Sequence, residues 1–176
     1  MLGKKERVIL LGLALLILLG VSYFENVIFF KALSTLFQDY ALAFLVVFVH
    51  NITVISLILL GMTFYANLVI LGFFKGQKYE YVVLEHPGTF AVVFTIMIVF
   101  VSILRGSTLV FGMINVETLP KILIISTPIG ILEGYVIYFT IKKTLSRAMS
   151  LKNLAYAYCI FLIAAVIEVN FIMLLL

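Results

Sequence analysis

The sequence predicts an all-α, polytopic membrane protein with about five spans, and three observations carry that prediction. Of its 176 residues, 65% are hydrophobic and 11% charged, against roughly 45–50% and about 25% in soluble domains; the mean hydropathy is +1.28. Apolar runs long enough to cross a bilayer recur along the whole length, and no hydrophilic block is large enough for a soluble domain. The basic residues, finally, fall in short loops on one side of the implied topology. Residues 1–176 are therefore expected to form a single integral membrane domain, with spans at about 8–24, 41–74, 87–112, 121–141 and 154–176.

The first span follows Lys4, Lys5 and Arg7. This resembles a signal peptide, but the apolar stretch is long and SYFEN offers no small-x-small cleavage site, so an uncleaved span is expected. Residues 25–40, ENVIFFKALSTLFQDY, mix charges with aromatics and suggest an interfacial amphipathic helix. The run from Ala41 to Phe74 would make roughly 50 Å of helix, too long for a ~30 Å core and marginal for two spans. It is either one tilted or broken helix or a tight hairpin, which would raise the count to six segments. Polar residues 75–86 separate it from the third span, which opens after Pro87-Gly88. The fourth span precedes the most basic loop, KKTLSRAMSLKN (142–153), and the fifth completes the chain.

Charge decides between the two versions. Five single passes from a cytoplasmic N-terminus place Lys75, Lys78, Lys142, Lys143, Arg147 and Lys152 inside with the N-terminal cations. Only Lys31 and Lys121 fall outside, among Glu25, Asp39 and Glu117. A sixth pass would flip every later loop. The expected location is a cell membrane, with the N-terminus cytoplasmic and the C-terminus outside.

Ionisable groups at membrane depth are costly and normally face a partner or a wet cavity. The spans hold His50, Arg105, Glu133 and Glu168, and Asn51 and Asn67 add amides. The topology places Glu133 near mid-membrane and Arg105, Glu168 and His50–Asn51 between the midplane and the outer surface. An Arg105–Glu133 or Arg105–Glu168 pair would avoid an uncompensated charge. Three roles are open for this cluster: a polar relay or pocket for protons, ions or a small solute; structural glue between helices; or partner docking.

The stretch TPIGILEG (127–134) concentrates these features. Pro128 lacks an N–H and clashes with the carbonyl of Ile124, so the fourth span is expected to kink or break there. Gly130 and Gly134 share one helical face and allow close approach of another backbone, with Glu133 beside them. A half-helix beginning at Pro128 would also present free N–H groups to an anion. Ser102 and Gly106 form a second small-residue face.

No catalytic set is visible. His50 and His86, the sole cysteine Cys159, and the lack of an HExxH or G-x-S-x-G pattern point to no enzyme, metal or cofactor. Cys159 is expected to pack in the core and His86 to lie at the membrane surface. The charge of +4 is spread over short loops and concerns topology, not nucleic acid.

PIGILE (128–133), following HN (50–51) and preceding AAVIEVNFI (164–172), resembles the stage II sporulation protein M family. The resemblance carries Pro128, Gly130 and Glu133 onto that family's central motif, Glu168 onto its last-span Glu, and Asn51 onto its early Asn. The glycines of LGFFKG (71–76) or of LRGSTLVFG (104–112) would match its glycine-rich middle segment. Ile129 replaces a frequent polar residue, and EVN replaces a Glu-Ala-Tyr-like ending. The resemblance implies about five spans and a non-enzymatic scaffold or component of a membrane complex, joined to copies of itself or to a membrane-protein partner in the lipid bilayer. The alternative is a small transporter or channel using Glu133, Arg105, Glu168 and His50.

Overall fold

The computed structural model describes residues 4–36, 39–73, 82–111 and 119–175. Among the described residues there are six helices and no strand: α1 (Lys4–Leu36), α2 (Tyr40–Ile70), α3 (Val82–Glu85), α4 (Pro87–Phe111), α5 (Leu119–Leu145) and α6 (Leu151–Leu175). Two stretches, Tyr40–Ile70 and Leu151–Asn170, are long and apolar enough to cross a membrane, and shorter apolar stretches lie at Val8–Phe24 and Pro87–Phe100. Only 22% and 28% of the most apolar windows of the two long stretches are buried inside the chain. Most of their apolar surface therefore faces outward, the reverse of a helix in a soluble core.

The ambiguous run is one unbroken helix over Tyr40–Ile70 and not a hairpin. Its ends explain why. Asp39, in an extended conformation, accepts the Ala41 and Leu42 amides at 2.9 and 3.3 Å, a start signal that satisfies donors the first turn leaves orphaned. Gly72, at φ 69°, ends the helix: its amide reaches Val69 O at 2.9 Å and the Phe73 amide reaches Leu68 O at 3.2 Å. That reversal requires the left-handed region, which glycine enters freely. Between these signals no proline interrupts the backbone.

Two further expectations change. Residues 25–36 continue the first apolar stretch as part of α1, because no glycine or proline separates them from it; the interfacial segment is not a separate helix. Pro128 does not break the fourth span either, since α5 runs on from Leu119 to Leu145. One lost hydrogen bond is tolerated when the flanking turns remain packed. Pro87 opens α4, where its missing N–H costs nothing, and the Phe90 amide bonds His86 O at 3.1 Å. At the α5–α6 turn, Arg147 adopts φ 54° in the same reversal that Gly72 makes, with Arg147 N to Thr144 O and Ala148 N to Lys143 O. Ser150 then caps α6, its hydroxyl accepting the Asn153 amide at 3.3 Å.

Helices α2, α5 and α6 pack on one another, while α1 lies mainly on α2 and α4 mainly on α5. The core between α2, α5 and α6 holds Ile55, Val136, Ile141 and Phe161. A second cluster joins Ala43 and Val47 of α2 to Ala165 and Val169 of α6. Side-chain bonds fix the α2–α6 register: Ser56 Oγ lies 3.1 Å from Tyr158 Oη, and Asn170 Nδ2 donates to Tyr40 Oη at 2.9 Å. The Phe139 and Tyr156 rings, 5.6 Å apart, fix α5 against α6.

Candidate functional site

The α2 stripe Ala43, Val47, Asn51, Ile55 repeats every turn and faces the core. Asn51 is thereby carried inward. It is 6% exposed, and its Nδ2 has no hydrogen-bond partner among the described residues. The preceding residue, His50, is half-buried. Two other buried hydroxyls share the orphan state: Thr95 Oγ1 on α4, 8% exposed, and Thr140 Oγ1 on α5, fully buried. An unpaired buried polar group costs ~1–3 kcal/mol, so three near the middle of one small bundle need a reason.

Glu133 is half-buried beside Gly130 and Gly134, and those glycines meet α4. A Cβ on Gly134 would stand 3.3 Å from Val99 Cγ2 and 3.6 Å from Thr95 Cγ2, whereas one on Gly130 would stand 3.8 Å from Val99 Cγ1. The close-approach face is therefore used within the chain, to seat α4 on α5. Ser102, of the second small-residue face, is exposed, and the side chain of Gly106's neighbour Arg105 lies outside the described residues.

The registers sort the expected cluster by depth. His50 precedes Ser56 on α2 by as many residues as Glu133 precedes Phe139 on α5, and both markers contact the Tyr156–Tyr158 turn of α6. At ~1.5 Å per residue, His50, Asn51 and Glu133 fall within about 3 Å of one level. Glu168, next to the Val169 that packs on Ala43 and Val47, lies about 6 Å further along the axis than His50 and about 9 Å further than Glu133. The backbone of Arg105 lies about 8 Å beyond the level of Glu133 in the same direction, counted from the Gly134–Val99 contact. The histidine–asparagine pair thus belongs with the central carboxylate and not with the outer groups.

A second feature escaped the sequence. A cleft of about 600 Å³ opens among α2, α5 and α6, reached also by Leu18 of α1. Ser56, Thr63, Asn67, Thr144, Arg147 and Tyr158 supply its polar lining. Several of these groups are already bonded to their own helices: Thr63 Oγ1 to Leu59 O, Asn67 Nδ2 to Thr63 O, and Thr144 Oγ1 to Thr140 O, each at 2.7 Å. The i, i+4 pairs Thr63–Asn67 and Thr140–Thr144 were the available signal, but such spacing alone does not tell a lined cleft from back-bonded helix.

The segment that carries Arg147 to the cleft mouth is basic. Lys142, Lys143, Arg147 and Lys152 stand in a segment, 142–153, without a carboxylate. Lys142 Nζ sits 5.4 Å from the Tyr138 ring and Lys143 Nζ 5.8 Å from the Phe139 ring, distances at which ring faces attract cations. Among the described residues no group of three or more His, Cys, Asp or Glu is placed to hold a metal ion. Cys159 is exposed and not in the core, because it sits on the face of α6 opposite Phe161 and Ala164. His86 is exposed before α4.

Comparison with known proteins finds no matching family model, no matching curated protein and no matching solved structure.

Proposed function

We propose that this chain is a five-pass integral membrane protein, N-terminus cytoplasmic and C-terminus outside, that serves as a non-enzymatic structural component of a membrane complex, as its resemblance to the stage II sporulation protein M family implies. The helix directions support the topology. Gly12 of α1 lies against Phe64 of α2, and the cleft brings Ile70 together with Arg147. The basic N-terminus of α1, the C-terminus of α2 and the basic α5–α6 turn therefore share one end of the bundle, as positive-inside orientation requires.

The observation that carries the structural role is the open array. Helices α1 and α4 lie mainly on one neighbour each, so α1 leaves Ile9, Leu16, Ile17, Tyr23 and Phe24 more than 60% exposed. Such a flank fits lipid or another membrane protein. The test is purification from membranes in mild detergent. The expected result is a complex larger than the 19.8 kDa chain, lost when Leu16 and Ile17 are both changed to Ser while the monomer stays helical. A chain that always migrates alone would end this proposal.

A specific observation favours a second role, proton- or cation-linked transport: the orphaned Asn51 amide lies level with Glu133 and His50. An intramembrane carboxylate at the depth of an unpaired amide supplies polar groups that a relay could use. Flux in proteoliposomes that disappears in Glu133→Gln, with the fold intact, would replace the scaffold role by this one.

A further inference from the structure

The cleft among α2, α5 and α6 is a slot with a direction. On α2 its lining runs from Ser56 to Ile70, about 20 Å of helix, comparable to one leaflet's half of a ~30 Å hydrocarbon core. Leu18, Leu59 and Leu60 wall its inner part. The hydroxyls deepest in it, Ser56 and Tyr158, are bonded to each other, and those of Thr63 and Thr144 give their protons to helix carbonyls. The inner slot is therefore drier than its residue types suggest.

At the mouth stands Arg147. The side chain is exposed, and among the described residues none pairs with its guanidinium, a fork of five N–H donors. Its backbone holds φ 54° at a helix-ending position that the other such reversal in this chain gives to Gly72. A left-handed conformation disfavours a side chain there, so the chain carries an arginine where glycine would be easier. Lys142, Lys143 and Lys152 flank it in a segment without a carboxylate.

We propose that this slot binds one anionic glycerophospholipid, its phosphodiester on the Arg147 guanidinium at the cytoplasmic face and one acyl chain along Leu60, Leu59 and Leu18. Arginine matches phosphate oxygens two at a time, and basic pockets between membrane helices on the cytoplasmic side suit anionic headgroups. The proposal rests on the membrane topology given above.

The experiment is native mass spectrometry of the full chain in detergent, titrated with phosphatidylglycerol, phosphatidylcholine or inorganic phosphate, beside carbonate extraction of membranes. One phosphatidylglycerol is expected to be retained in preference to phosphatidylcholine. That preference should fall about fivefold in Arg147→Gly, which suits the backbone and removes the charge. Leu60→Trp, which fills the slot and keeps the charge, should reduce retention of both lipids. Equal retention of the two lipids, an unchanged preference in Arg147→Gly, or displacement of the lipid by inorganic phosphate would overturn the proposal. A chain that resists carbonate extraction yet shows no preference loses the lipid site alone; one that carbonate releases loses the membrane topology as well.

Discussion

At the scale of single residues, distances separate the two glycines that the sequence treats alike. Gly134 stands where a Cβ would be 3.3 Å from Val99 Cγ2, closer than ordinary contact, while Gly130 has 3.8 Å. Gly130→Ala should leave the thermal midpoint unchanged. Gly134→Leu must push α4 off α5 and should cost about 1–3 kcal/mol, read by thermal unfolding in detergent. Asn51 offers the opposite case. Its Nδ2 is buried and unpaired, and replacing an orphaned polar group by an apolar one of similar shape is often neutral or stabilising. Asn51→Leu should therefore keep or raise the melting temperature. A clear loss of stability would mean that the amide has a partner in the membrane, such as a bound ion or water.

At the scale of elements, the ends matter more than the interiors. The interior of 41–70 is so uniformly apolar that periodicity could not place a break in it, and there is none. What defines α2 is Asp39 before it and Gly72 after it. Asp39→Ala should cost about 1 kcal/mol through the lost cap, visible as reduced helix content at the α2 start by hydrogen exchange. The C-terminus of α5 should respond in the opposite sense, since Arg147→Gly relieves a left-handed non-glycine residue and should stabilise by about 1 kcal/mol. Stability gained together with lipid preference lost is a combination that a merely structural arginine would not produce. Of the two outcomes expected at Pro128, the break is the one that does not occur: one missing amide removes one bond, and the turns on either side of Pro128 stay helical.

Across the whole molecule, direction and depth decide function. The antiparallel order of α1 on α2 and of α5 on α6 collects the basic segments at one end. A cysteine introduced at Ser146, with Cys159 replaced by Ala, should react with an impermeant thiol reagent only from the cytoplasmic side. Labelling from outside would invert the topology. The same registers divide the intramembrane polar groups into a central level, with His50, Asn51 and Glu133, and an outer level with Glu168. Along the axis that outer carboxylate stands about 6 Å from His50 and about 9 Å from Glu133.

The helical, apolar character of the chain was legible in its sequence, because composition acts locally; the cap at Asp39 and the stop at Gly72 were not read from it. Only the tertiary structure decided that the Gly130–Gly134 face is taken by α4, that Asn51 lies level with Glu133, and that Arg147 closes a cleft. Those outcomes depend on how one helix slides and rotates against another. In runs this uniformly apolar many registers bury similar surface, so side-chain fit selects among them, and fit is a property of two helices together.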